Sequence, residues 1–355
     1  MIETGTTELA QLPGMEAEGA STGAVPRPEH FIERGPWKRL MLFAGRSNRP
    51  LAEDIGRHLG VQLGEVKLKT FANGENYCRY EKSIRGADVF IVQSGSPPVN
   101  DHLLELLIMI QAAKLASAKR ITAVVPWFPY SRQDKKSRPR EPITAKLVAD
   151  MLEVAGADRV LTMDLHAGQI QGFFSVPVDH MTALPLFATY YRDKGLFGEK
   201  VVAVSPDPGR AKMARRFGAM LEADLAIMNK VRPEHDTAEV TEVIGDVRGK
   251  IALLSDDMIV TGGTLIAGAA ALREAGATEV YACATHGLFP GNAFEKIAAS
   301  DLTKVTVTDT VPIDPVNRPG NIDVLPVSGL LAETIMNVFG DESVSAIFAG
   351  ENQLF

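Results

Sequence analysis

The chain has 355 residues, 45% apolar and 23% charged, with a formal net charge of −7. That acidic balance argues against a nucleic-acid-binding surface as the main business of the protein. Its two cysteines, Cys78 and Cys283, sit in unrelated contexts, which excludes a disulfide scaffold or a Cys/His zinc cluster and fits a reducing compartment.

At about 150 residues per domain, the length predicts two domains, each large enough for its own core. Residues 1–36 are rich in Gly, Ala, Pro, Thr and Glu, show no hydrophobic period, and read as a disordered extension. Glu3 and Glu8 stand where a signal peptide would carry a basic start and an apolar run. The most apolar helical stretch, 103–116, is interrupted by Glu105, Gln111 and Lys114 and is too short to span a bilayer. A cytoplasmic protein with neither membrane nor nucleic acid as partner is expected.

From 37 onward, short apolar runs alternate with helical patterns. The predicted strands are 40–43, 89–92, 121–125, 160–163, 201–204, 251–254 and 280–284. Between them, Leu104, Leu107, Ile108 and Leu115 fall at helical spacing, and a further helix is predicted to start at Pro142 and carry Leu147, Met151 and Leu152 inward. Alternating strands and helices predict an α/β fold of mostly parallel sheets flanked by helices, divided as 37–180 and 181–340 with a tail, 341–355, packing on the first unit. Ligands in such sheets bind beyond the carboxyl ends of the strands.

The informative residues follow those strand ends. After the run at 251–254 come Asp256, Asp257, Val260, Thr261, Gly262, Gly263 and Thr264. Glycines let backbone approach a phosphate, the first amides of the next helix point at it unpaired, and Thr261 and Thr264 add hydroxyl donors. Asp256 and Asp257 are acceptors suited to sugar hydroxyls or a hydrated magnesium ion. A bare Thr-Gly-Gly-Thr turn is as readily a capped strand–helix junction; the acidic pair before it favours a sugar-phosphate cradle. Its spacing resembles the 5-phosphoribosyl-diphosphate (PRPP) loop of phosphoribosyltransferase-fold proteins.

Four other segments accompany it: Phe71-Ala72-Asn73-Gly74-Glu75, the run from Tyr130 through Arg132 and Gln133 to Lys136, the run from Thr162 through His166 to Phe174, and Ser205-Pro206-Asp207. Together they resemble the ribose-phosphate diphosphokinase (PRPP synthetase) family from about Leu40 to the C-terminus. The resemblance implies two phosphoribosyltransferase-like domains and transfer of the β,γ-diphosphoryl group of ATP to the C1 hydroxyl of ribose 5-phosphate. It implies Mg²⁺ held by His166 and Asp207, although imidazole is an unusual magnesium ligand. On the residues alone, His166 reads as a hydrogen-bonded core histidine and Asp207 as a helix cap. The resemblance further implies that Phe71, Asn73, Glu75, Arg132 and Gln133 bind ATP, in part across a subunit boundary. It implies that Lys230 and Arg232 belong to a mobile catalytic loop, and that the chain forms a homo-oligomer, often a hexamer.

One position departs from the family pattern: Val260 stands where the loop usually has a third acidic residue. Loss of such a charge-assisted contact costs about 1.5–3 kcal/mol of binding. Pro208-Gly209-Arg210 is a smaller departure, with Arg210 where many members have a second glycine. These departures keep open a PRPP-consuming phosphoribosyltransferase and a catalytically silent regulatory homologue beside the active synthetase.

Overall fold

The computed structural model describes residues 32–34, 38–231 and 240–348. The first half contains β1 (Ile32–Arg34), β2 (Lys38–Ala44), α1 (Arg49–Leu59), β3 (Val66–Thr70), β4 (Asn76–Tyr80), β5 (Asp88–Val92), α2 (Val99–Leu115), β6 (Arg120–Val125), α3 (Thr144–Ala155), β7 (Arg159–Met163), β8 (Val178–Met181) and α4 (Leu184–Asp193). The second contains β9 (Val201–Ser205), α5 (Ala211–Met220), β10 (Asp224–Val231), β11 (Val240–Ile244), β12 (Ile251–Ile259), α6 (Gly263–Glu274), β13 (Glu279–Gly287), α7 (Ala293–Ala298), β14 (Lys304–Thr308), β15 (Ile322–Leu325) and α8 (Ser328–Gly340).

These strands form a sheet of order β1-β2-β5-β6-β7-β8, another of order β11-β10-β9-β12-β13-β14-β15, and the separate hairpin β3-β4. Within each large sheet every pairing is parallel except the edge pairs β1/β2 and β10/β11. The fold is therefore α/β with mostly parallel sheets, as the alternation predicts. Strands β5 and β9 are buried along their whole length, which is the mark of a strand covered on both faces. One apolar core includes Leu42, Phe90 and Leu161 of the first sheet, Leu253 of the second, and Tyr191, Phe217 and Phe339 from helices between them. Separate cores cover the outer faces. Helix α8 packs on α1, and just beyond it Asp341 pairs with Lys38 and Arg120 of the first sheet at 2.5 and 2.8 Å.

Several expectations need correction. Ile32–Arg34, inside the stretch read as a disordered extension, forms an edge strand on β2, where unpaired backbone groups would otherwise remain; residues 1–31 lie outside the described residues. Helix α3 begins at Thr144 rather than Pro142. Leu147 is 54% exposed instead of inward, because Ala145, Val148 and Leu152 form the buried face. The core side of α2 likewise uses Leu103, Leu106, Met109 and Ile110, leaving Leu104 and Leu115 exposed. Strands β12 and β13 run well past their apolar runs, so the acidic pair lies within β12 and not after it.

Candidate active site

The end of β12 builds the anion cradle. Gly262 holds φ at +76° and a Cβ there would meet Ile297 at 3.2 Å, so both conformation and space favour glycine. It caps α6 without a side-chain hydrogen bond, leaving the first amides of that helix free to meet an anion. Thr261, Gly262, Gly263 and Thr264 line a cavity of about 410 Å³, together with Arg132, Asp207, Asp256, Asp257 and Val260.

His166 comes from the turn after β7. At its start, Asp164 adopts φ +32°, an uncommon backbone for a non-glycine residue, and its carboxylate accepts from the Ala183 amide at 2.8 Å and the Thr285 hydroxyl at 2.6 Å. Two buried histidines brace the turn. His180 Nε2 accepts the Leu165 amide at 2.8 Å, and His286 Nε2 lies 3.1 Å from the Met163 carbonyl. Burial pushes the His180 imidazole down to about 4, which keeps it neutral and able to accept that bond. His166 itself is 32% exposed and is not a core histidine.

Asp207, after β9, turns out to be a cap as well as a candidate ligand: its Oδ1 accepts the Arg210 amide at 3.1 Å. The Arg210 guanidinium then reaches Asp257 Oδ1 at 2.7 Å and His166 Nδ1 at 2.9 Å, while His166 Nδ1 is 2.8 Å from Asp257 Oδ2. Both oxygens of Asp257, acceptors suited to sugar hydroxyls or a hydrated ion, are engaged by protein groups. Burial would raise its carboxyl, but the His166 hydrogen bond and the Arg210 charge outweigh that and hold it below the usual carboxylate range. Burial, and then the Asp257 charge beside it, push Asp256 well above that range.

A second cavity of about 550 Å³ lies against the first and is lined by Asp134, Lys135, Gln169 and Lys212. His166, Asp207, Arg210 and Asp257 line both cavities. Gln169 bonds Asp134 at 3.0 Å across the floor of the second. Asp134 and Gln169 stood inside the quoted motifs without an assignment, and Arg210 stood there only as a departure. Asp164 likewise stood inside a quoted motif without an assignment, while His180 and His286 carried no sequence signal, since their partners lie on other strands.

The ATP candidates divide. Arg132 and Gln133 line a neighbouring pocket of about 380 Å³ with Trp127, Tyr130, Met258, Val260 and Leu288. Phe71, Asn73 and Glu75 sit exposed at the tip of the β3-β4 hairpin and line none of these three cavities. The Lys230 backbone lies in β10, paired with Thr241, so the strand continues past the point where a loop was expected; Arg232 lies outside the described residues. Among the described residues no three His, Cys, Asp or Glu side chains converge as a metal site, and no helix is long and apolar enough to cross a membrane.

Comparison with known proteins places this geometry. A family model described as the N-terminal domain of ribose phosphate pyrophosphokinase matches residues 40–156, and one described as the phosphoribosyl synthetase-associated domain matches 229–349. The chain is 50% identical to the ribose-phosphate pyrophosphokinase of Caldanaerobacter subterraneus, over 87% of its own length and 98% of that protein. It is 47% identical to the Fusobacterium nucleatum protein of the same name, over 88% of its length and 99% of that protein. The crystal structure of phosphoribosylpyrophosphate synthetase from Mycobacterium smegmatis superposes with a TM-score of 0.80 at 46% identity, covering 85% of this chain and 99% of that one.

Proposed function

The chain belongs to the ribose-phosphate pyrophosphokinase family, and from that we propose how its own residues divide the reaction. The reaction moves the β,γ-diphosphoryl group of ATP to the C1 hydroxyl of ribose 5-phosphate, giving PRPP for nucleotide biosynthesis and releasing AMP. The observation that carries the assignment of roles is the pair of adjoining cavities with four shared lining residues. Donor and acceptor phosphates can then sit on either side of one point of transfer, and in phosphoryl transfer such positioning and charge stabilisation carry most of the catalysis.

The glycine cradle with Thr261 and Thr264 would take the 5-phosphate, and Asp256 the ribose hydroxyls. Arg132 and Gln133 would contact ATP, the guanidinium stacking on the base or pairing with phosphate. His166 and Asp207 would hold magnesium. Among the described residues no three His, Cys, Asp or Glu side chains converge there, so His166 and Asp207 would be the protein's contribution to the ion, which would offset phosphate charge. Lys230 and Arg232 are proposed to touch the transferring group, where donors strengthen in the transition state.

A homo-oligomer is proposed on two supports. Phe71, Asn73 and Glu75 sit exposed at the hairpin tip and line none of their own chain's three cavities described above, as residues serving a neighbour would. An apolar groove of about 720 Å³ between α2 and α3, lined by Leu107, Ile108, Leu115, Leu147, Met151 and Val154, suits burial against another copy.

The test is AMP formation by purified protein supplied with ATP, Mg²⁺ and ribose 5-phosphate. AMP that depends on the sugar phosphate is expected. Pyrophosphate release from PRPP and a nucleobase without AMP formation, or ATP binding with no turnover, would overturn the assignment.

A further inference from the structure

Arg210 occupies a position that neither cavity explains alone. It ends the short turn Pro208–Arg210, and its side chain is 15% exposed. Nη2 reaches both Asp257 and His166, and Nε lies 3.8 Å from Asp256 Oδ1. A guanidinium carries five N–H donors; Nη1 has no partner among the described residues. Of the four residues lining both cavities, Arg210 alone carries a permanent positive charge.

A diphosphoryl group crossing between the cavities brings several negative charges past the Asp256–Asp257 pair. Carboxylates alone would repel it. A fixed cation paired with Asp257 in the free protein removes that repulsion, and its planar fork matches phosphate oxygens. We propose that Arg210 is a further catalytic residue, whose guanidinium contacts the diphosphoryl oxygens during transfer. This rests on the reaction assigned above. In the step, the C1 oxygen bonds to the β-phosphorus while the bond from that phosphorus to the α–β bridging oxygen breaks. AMP leaves with the bridging oxygen, and the hydroxyl proton passes to water. Arg210 exchanges no proton; it offsets charge on the group in flight.

Titration calorimetry with inorganic pyrophosphate in EDTA isolates the contact from magnesium and from turnover. Wild type is expected to bind, Arg210→Ala at least tenfold more weakly, and Arg210→Lys in between. With both substrates and Mg²⁺, Arg210→Ala is expected to lower kcat about 100-fold while either KM moves less than threefold. Equal pyrophosphate affinity in wild type and variant, no binding by wild type, or a kcat within threefold of wild type would overturn the proposal. Should Arg210→Ala not fold, Arg210→Lys decides, and pyrophosphate binding equal to wild type counts against Arg210. Absence of AMP formation by wild type would sink the assigned reaction instead, a separate result.

Discussion

Val260 borders two cavities: it lines the glycine-loop cavity together with Thr261 and Gly262, and it walls the pocket of Trp127, Tyr130 and Leu288. A valine there accepts no hydrogen bond, so a hydroxyl facing it goes unmatched. Val260→Asp is expected to lower the apparent KM for ribose 5-phosphate about tenfold or more, the low end of a charge-assisted bond worth about 1.5–3 kcal/mol. An unchanged or higher KM would mean the hydroxyls have found other partners. A different residue governs pH. His180 titrates near 4 when folded and near 6.5 when unfolded, so the unfolded chain gains a proton first as pH falls. Its stabilisation is therefore lost between about 6.5 and 4. Buried His286 acts in the same sense, whereas Asp309, pushed up to about 6 by burial, opposes them over much of that window. The clean comparison is with His180→Gln, which can still accept the Leu165 amide. Relative to wild type, this variant is expected to gain about 2–3 kcal/mol as pH drops from 6.5 to 4.5, read from urea midpoints. Parallel pH profiles would refute the assignment. At this scale the sequence displayed the cradle well, because its glycines, threonines and carboxylates are contiguous. The partners of Arg210 and Asp164 were invisible, since the bond from Thr285 to Asp164 spans 121 positions.

One buried carboxylate clamps the base of the β3-β4 hairpin tip, beside the packing of Val66, Leu68 and Tyr80 on the core. Glu105 of α2, 2% exposed, accepts the Arg46 amide at 2.8 Å and the Gln93 side chain at 3.0 Å, and forms an ion pair with the Arg46 guanidinium. That guanidinium then reaches Thr70 at 3.0 Å and Asn76 at 2.8 Å, at the base of the tip bearing Phe71, Asn73 and Glu75. Glu105→Ala leaves three donors without their acceptor. Because Arg46 is itself partly exposed, a loss of about 2–3 kcal/mol is expected rather than the full cost of an uncompensated buried charge. Hydrogen exchange should rise across 66–80 and the apparent KM for ATP should increase. Normal protection of that hairpin in the variant would show that the clamp is dispensable. In sequence, Glu105 read only as an interruption of an apolar helix, because periodicity reports which face is wet and not which polar group has been buried with partners. The doubly covered strands were legible as unbroken apolar runs. Strands β14 and β15 were not, since Lys304, Thr306, Thr308 and Asp323 break the apolar pattern.

Across the whole molecule, the groove between α2 and α3 exposes Leu115 at 76%, Leu147 at 54% and Val154 at 79%. Helical spacing alone did not say which apolar face would meet the core, and both helices carry two. Leu115→Lys combined with Val154→Lys is expected to shift the particle to a smaller mass by light scattering, with activity falling in step. An unchanged mass would remove this groove from the assembly. The Asp164 turn has a consequence for how the enzyme can be divided. The chain presents His166 on a backbone that Thr285 and His286 of β13 hold bent, from the other sheet. A severed first half would keep every residue of its motif yet relax the bend, as an arch loses its curve when the keystone belongs to the opposite wall. Neither fragment inherits a working remnant, so gene fission or domain shuffling between the halves would be silent until the two were rejoined.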